Sequence, residues 1–244
     1  VVVIILAALT GSFFLDGAIK RGVETFGPKL TKGDIKLQSV SLSMFSGSGS
    51  IQGLVVGNPA GFKTPSAINV NTASLSLKPS SLLSHKIVIK SINVNGPEIT
   101  YETDFKKNNL SKLLANVQEF AGGTQQEAAS PKEAKSAKKL QVDEFNITGG
   151  KIHLSVTTLG GGAATVPLPD IHLQNLGAGP EGITPAELTK AVLSAIEKGA
   201  VQAASGAVTD IGKGAMYITK DTVSMGSNTV QKVTKGIGGL FKKN

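Results

Sequence analysis

The chain has 244 residues, is 40% apolar and carries a formal net charge of +8, so it has room for one large domain or two small ones around a real core. Aromatic residues make up 5% of it, with no Trp and no Cys, which argues against an aromatic stacking platform and excludes a disulfide framework, a thiolate metal site and a Cys nucleophile. The positive charge favours anionic partners, either nucleic acid or phospholipid headgroups, and the placement of the lysines decides between them.

The first element is the uncharged run VVVIILAALTGSFFL from Val1 to Leu15, followed by Asp16, Lys20 and Arg21. It reads as the end of a transmembrane helix. A span needs about 20 apolar residues and numbering begins inside the run, so residues before Val1 are expected. The rival reading is a cleaved signal peptide. Ile19, Val23 and Phe26 keep helical spacing in DGAIKRGVETFG, which favours one helix continuing out of the bilayer; anchor and extension together occupy 1–30.

From Gly33 to Tyr101 the period changes to two: Ile35 and Leu37, Leu75 and Leu77, Ile87 and Ile89, Ile92 and Val94, Ile99 and Tyr101 alternate with polar residues. These are strands with one wet and one apolar face. NPAG from Asn58, Pro79 with two serines, and Asn95-Gly96-Pro97 supply turn chemistry between them. The regular spacing predicts an antiparallel meander. Asn109 caps a short helix with Leu110, Leu113, Leu114 and Val117 on one face, closing a first β half over 31–121. The stretch 122–140 has no apolar periodicity and reads as a solvated linker. Strand alternation returns at Val142, Phe145, Ile147, Ile152 and Leu154, so a second β half covers 141–183. Thr184-Pro185-Ala186-Glu187 is a helix-start signal, and Leu188, Val192, Ala195 and Ile196 form the buried face of the helix it opens in a helical region over 184–244.

The succession IKLQSVSLS, SIQGLVVGNPAGF, INVNTASLSL, PSSLLSHKIVIKSINVNGPEITYE and NNLSKLL, followed later by LQVDEFNITGGKIHLS and TVPLPDIHLQNLGAGPEGITPAEL, resembles the N-terminal module of the AsmA-like family from about Leu9 to Ile196. The resemblance implies an inner-membrane-anchored bacterial envelope protein, single-pass, with the bulk of the chain in the periplasm and a twisted sheet exposing an apolar groove that binds or moves lipid. The residues expected on the apolar face, and so the lipid-groove candidates, are Leu37, Leu54, Val70, Leu75, Leu77, Ile87, Ile89, Val94, Ile152, Leu154 and Ile171. At about 4.8 Å per strand, roughly ten strands would give a groove on the order of 50 Å, too short to cross an envelope alone.

In the last stretch, apolar residues from Val208 to Phe241 fall on one half of a helical wheel and lysines on the other. That pattern suits an interfacial membrane helix or a helix laid along the protein's own sheet. Lys232, Lys235, Leu240, Phe241, Lys242 and Lys243 are the membrane-surface candidates.

Catalytic signals are absent from the sequence. His85, His153 and His172 occur singly on strands, without the partners a metal site favours. The glycines at 160–162 and Gly212-Lys213-Gly214 lack the context of a phosphate cradle, and no G-x-S-x-G elbow precedes a helix. With one Arg and lysines beside an apolar stripe rather than among aromatics, nucleic acid is disfavoured. The expectation is therefore an α+β protein: an N-terminal transmembrane helix, a twisted antiparallel β-meander with an apolar groove, and C-terminal amphipathic helices. It is non-catalytic, without cofactor or metal, and a partner of phospholipid and membrane. The alternative is a structural subunit that joins other membrane-protein subunits or further copies of itself.

A synthetic peptide covering Val208 to Phe241 is expected to be mostly unstructured in buffer and to gain helicity on phosphatidylglycerol vesicles, less so at high salt. Circular dichroism unchanged by such vesicles at low salt would exclude the lipid role of this segment.

Overall fold

The computed structural model describes residues 2–104, 106–122, 138–156 and 162–218, with side chains described for these except at 2–15, 18, 162–163 and 206–218. Most of the expected linker, and all of the membrane-surface candidates Lys232, Lys235, Leu240, Phe241, Lys242 and Lys243, therefore lie outside the described residues.

Three α-helices and nine strands are found among the described residues: α1 (Val2–Thr31), β1 (Ile35–Leu42), β2 (Ser48–Gly57), β3 (Ser66–Leu77), β4 (Lys86–Asn95), β5 (Glu98–Thr103), α2 (Asn109–Gly122), β6 (Lys139–Thr148), β7 (Lys151–Val156), β8 (Gly162–Pro167), β9 (Ile171–Leu176) and α3 (Pro185–Ile218). A short 3-10 turn, Pro79–Leu83, joins β3 to β4.

All nine strands belong to one sheet, but they make only six rows. β3 pairs antiparallel with both β4 and β5 in one unbroken register, from Ser74 opposite Asn93 to Asn69 opposite Glu98. Lys86 stands opposite Lys139 and Glu98 opposite Lys151 with the same offset, so β6 and β7 form one row beside the row of β4 and β5. β8 and β9 continue each other in the same way along β7 and β6. The row order is β1, β2, β3, β4 with β5, β6 with β7, β9 with β8. At about 4.8 Å per row the sheet is on the order of 29 Å wide, not 50 Å, because Gly96-Pro97 and Gly149-Gly150 bend a strand instead of reversing it.

The expected all-antiparallel meander is also corrected. β4 with β6, and β5 with β7, are parallel pairs. β5 ends at the far end of the sheet, β6 starts beside the start of β4, and α2 lies in the connection between them. Such a crossover is what a parallel neighbour requires.

A crease runs across the sheet. Extending the registers places Gln38, Gly53, Asn71, Gly96, Gly149 and Pro169 opposite one another in successive rows. Gly53, Gly96 and Gly149 adopt φ of 61°, 58° and 63°, left-handed geometry that glycine accepts without a Cβ penalty. A regular strand sends residues an odd number apart to opposite faces. Yet Ile51 and Leu54, Val70 and Ala73, Val94 and Ile99, Ile147 and Ile152 all join one apolar cluster. A left-handed residue flips the alternation in the rows of Gly53, Gly96 and Gly149, and β3 makes the same odd step from Val70 to Ala73 without one. A second crease crosses at Lys90, Asp143 and Asn175, where Asn175 has φ of 56°; there the odd steps are Ile89 to Ile92, Val142 to Phe145 and Leu173 to Leu176.

Helices cover part of that face. α2 packs on β5, and α3 packs on β7, β8, β9 and α2. Leu110, Leu113 and Val117 of α2 and Leu193, Ile196 and Ala200 of α3 are buried. The expected α3 start is present: Glu187 N–H donates to Thr184 Oγ1 at 3.1 Å, and Thr184 N–H donates to Glu187 Oε2 at 2.7 Å.

A methyl group at Gly53 would sit 2.7 Å from Gln38 Cβ, whereas one at Gly179 meets nothing within 4 Å. Gly53→Ala should therefore destabilise the fold by about 1–2 kcal/mol through left-handed strain and crowding, while Gly179→Ala changes it little. Urea unfolding midpoints of the detergent-solubilised chain check this, and equal midpoints for the two variants would refute the crease as a structural requirement.

Candidate functional site

The two faces of the sheet differ in chemistry row by row. On the polar face, Ser41, Ser50, Ser74, Asn93, Asn146 and His172 stand in one line across six rows. Asn146 Nδ2 donates to Asn93 Oδ1 at 3.0 Å, and His172 Nδ1 lies 2.9 Å from Asn146 Oδ1. His153 Nδ1 lies 3.0 Å from Thr165 Oγ1, with Glu98 3.7 Å from its other nitrogen. Among the described residues no group of three His, Asp or Glu side chains is arranged to hold a metal.

The lines on the other face, against which α2 and α3 pack, are apolar. Ile51, Ala73, Val94, Ile147 and Ile171 form one, and Leu75, Ile92, Phe145 and Leu173 another. Beyond the crease, Ile68, Ile99, Ile152 and Val166 continue the surface. Of the sequence-predicted groove residues, Val70, Val94, Ile152, Leu154 and Ile171 are buried in the central cluster, with Leu54 and Ile89 packed on it. Leu75 faces Ile92 and Leu77 faces Ile89 across the ladder, and Ile87 faces Leu140. Leu37 is buried on β1, against which α1 packs.

Exposure divides these residues in two. Those on β5, β7 and the adjacent part of β3 are buried. On β2–β4, toward the other end of the sheet, Ile51, Leu75, Ile87, Ile89 and Ile92 are half-exposed. The result is an apolar strip, rimmed by the β1–β2 turn and the 3-10 turn, beside a fully packed half.

Two polar devices that hold this scaffold are not apparent from the sequence pattern. The first closes the free edge of β1. Asp16 Oδ1 accepts from Leu42 N–H at 2.9 Å, Glu24 Oε1 accepts from Leu37 N–H at 3.1 Å, and Lys20 Nζ donates to Gln38 O at 3.1 Å. Spaced four apart, these side chains share one face of α1 and stand in for a neighbouring strand. The second explains the NPAGF turn. Asn109, fully buried, donates to Asn58 Oδ1 and Thr100 O and accepts from Glu102 N–H. Glu102, 2% exposed, accepts from Lys63 N–H, Thr64 N–H and Thr64 Oγ1 at 2.5–2.8 Å. Burial alone raises the Glu102 pKa, but these hydrogen bonds outweigh it and the value lies below the ordinary 4.5. Nearby, burial and then the charge of Glu197 push the Tyr101 hydroxyl up to about 12.

The sheet is thus creased and half-covered, with one apolar face and one polar face on which serines and asparagines stand beside the charges of Glu98 and Lys151. The sequence profile of the AsmA family matches residues 30–160, which contain the creased rows and the Glu102 network, and the chain belongs to that family. Membership points to an envelope-associated, lipid-related role. Neither the curated proteins nor the solved structures contain a match. Among the described residues no helix is long and apolar enough to cross a membrane, and within α1 the uncharged run stops at Asp16, whose carboxylate is committed to β1.

Because the Glu102 pKa is depressed on folding, its contribution is present above the unfolded value and is lost as pH falls through the lower folded one. Glu102→Gln should lose about 2 kcal/mol at pH 7, the scale of hydrogen bonds to a buried charge. The gap to the native chain should shrink as pH drops below 4.5. A gap constant from pH 7 to pH 3 in chemical unfolding would contradict this account of the turn.

Proposed function

We propose that the chain is a membrane-anchored envelope protein that binds phospholipid acyl chains on the partly exposed apolar strip of β2–β4 and has no catalytic role. The observation that carries this reading is the half-exposed apolar strip of Ile51, Leu75, Ile87, Ile89 and Ile92, continuous in register with the buried core. Backbone N–H and C=O groups there are used within the ladder, so the strip offers dispersion and desolvation but no polar recognition, which suits a hydrocarbon chain. The uncharged run Val1 to Leu15 supplies the anchor, and the lysine-rich chain matches an anionic phospholipid surface. Single-pass insertion in a bacterial inner membrane, with the sheet in the periplasm, is part of this reading.

The alternative, a structural subunit that buries the same strip against another membrane protein or a second copy, predicts protein in place of lipid. Native mass spectrometry of the detergent-extracted chain separates the two. The expected result is co-purifying phospholipid whose occupancy falls about tenfold in Ile89→Asp, where a charge is placed in an apolar site, and is retained in Ser74→Asp on the polar face. Unchanged occupancy in Ile89→Asp would rule out the strip as the lipid site, and a stoichiometric protein partner without lipid would favour the structural reading.

A further inference from the structure

The strip ends at one edge of the molecule, and that end has its own chemistry. The β1–β2 turn and the Pro79–Leu83 turn meet there: Leu77 N–H donates to Gly47 O at 2.7 Å, and a methyl group at Gly47 would lie 3.1 Å from Pro79 Cγ. From these turns project the two most exposed large apolar residues among those described, Phe45 at 79% and Leu83 at 92%. No fold requirement accounts for them.

Lysines surround the pair. Lys78 precedes the 3-10 turn, Lys86 opens β4 and Lys139 opens β6 beside it. Lys138 Nζ donates to Leu82 O and Lys86 Nζ to Gly179 O, bonds to neutral carbonyls that leave both positive charges in place. The acids at this end are Asp16, accepting from Leu42 N–H, Glu187, accepting from Thr184, and the exposed Glu181. Their donors are neutral too, so these negative charges also remain, and that of Glu187 acts on Lys139; four lysines here stand against three acids.

α1 points the same way. Its contacts run from Glu24 at Leu37 to Asp16 at Leu42, so the helix is antiparallel to β1. Its backbone continues N-terminally from Asp16 to Val2, about 21 Å of helix at 1.5 Å per residue, past the end that carries Phe45 and Leu83.

We propose that this end of the sheet is a membrane-docking rim, with Phe45 and Leu83 entering the headgroup–acyl boundary of an anionic phospholipid leaflet while Lys78, Lys86, Lys138 and Lys139 face its phosphates. Apolar side chains ringed by lysines match that boundary in both polarity and charge. The rim deepens the lipid-binding reading and rests on it. It brings the open strip to the bilayer surface, where an acyl chain has the shortest path onto Leu75 and Ile87.

Because the chain has no Trp, single-Trp variants report one site each. Phe45→Trp, Leu83→Trp and, at the opposite end, Lys106→Trp are reconstituted as full chains with phosphatidylglycerol–phosphatidylcholine vesicles carrying brominated acyl chains. Quenching at positions 45 and 83 is expected to exceed that at 106 by about twofold or more, the contrast between interfacial and aqueous side chains. Protein that pellets with the vesicles yet shows no excess quenching at 45 and 83 overturns the rim while leaving membrane association intact. Protein that does not pellet at all overturns the membrane-bound reading itself. Replacing phosphatidylglycerol by phosphatidylcholine should lower the quenching at 45 and 83, and equal quenching on both vesicles overturns the role of the four lysines.

Discussion

Strict alternation of side chains along a strand is the constraint on which the structure turns. A row as long as β4 with β5 has to bend to follow a curled sheet, and left-handed residues provide bends, but each one reverses the alternation. A bend in a single row would therefore send half of its apolar residues to water. The chain avoids this by aligning the bends from row to row, at Gly53, Gly96 and Gly149, and by stepping the apolar positions by an odd number at each crossing, as from Val94 to Ile99 and from Ile147 to Ile152. The crease is a property of the sheet, not of any one strand. The amide of Gly149 at the bend is met by Asp170 Oδ1 at 3.2 Å, and Leu168 N–H reaches Gly150 O at 2.9 Å, so the ladder stays bound through the fold line.

An open sheet also has edges, and an unpaired edge invites association with other chains. On β1 the answer is a helix. Asp16, Lys20 and Glu24 supply two acceptors and a donor to backbone groups that would otherwise face water. Gly27 lets α1 approach, since a methyl group there would crowd Ile35, 3.1 Å from its Cγ1 and 3.2 Å from its Cβ. At the other side α3 lies along β8 and β9. The C-terminal end of α1 is tied in turn to α2 by Asn116 Nδ2 donating to Thr31 O at 2.7 Å, so the helices form a frame around the sheet.

Much of this was readable in the residues and some was not, for physical reasons. Period-two runs marked the strands because one face is wet, and Thr184 with Glu187 marked the start of α3 because capping is local chemistry. The row structure was obscured because Asn95-Gly96-Pro97 has the composition of a turn, and only pairing with β3 on both sides shows that the strand goes on. Parallel pairing of β4 with β6 depends on contacts distant in sequence, which no local pattern encodes. The creases did leave a trace: Ile51 to Leu54 and Ile89 to Ile92 are steps of three inside otherwise alternating runs. The polar supports were harder to see. Asp16 and Lys20 read as the polar flank of an anchor, and nothing in NPAGF reveals that Asn58 belongs to a network with Asn109, which in turn binds the Glu102 amide.

The division of labour between the strip and its end bears on selectivity. Along Leu75, Ile87, Ile89 and Ile92 the surface presents hydrocarbon only, and the peptide groups beneath are engaged in the ladder. Contact with such a surface gains about 25 cal/mol for each Å² removed from water, whatever headgroup the ligand carries. On the proposed lipid-binding reading, discrimination between lipids would have to arise where charges stand, at the lysines of the β4 and β6 starts, and would depend on ionic strength because those side chains are near solvent. Chain length and saturation would be sensed on the strip and headgroup charge at its mouth, two separable contributions to one binding event.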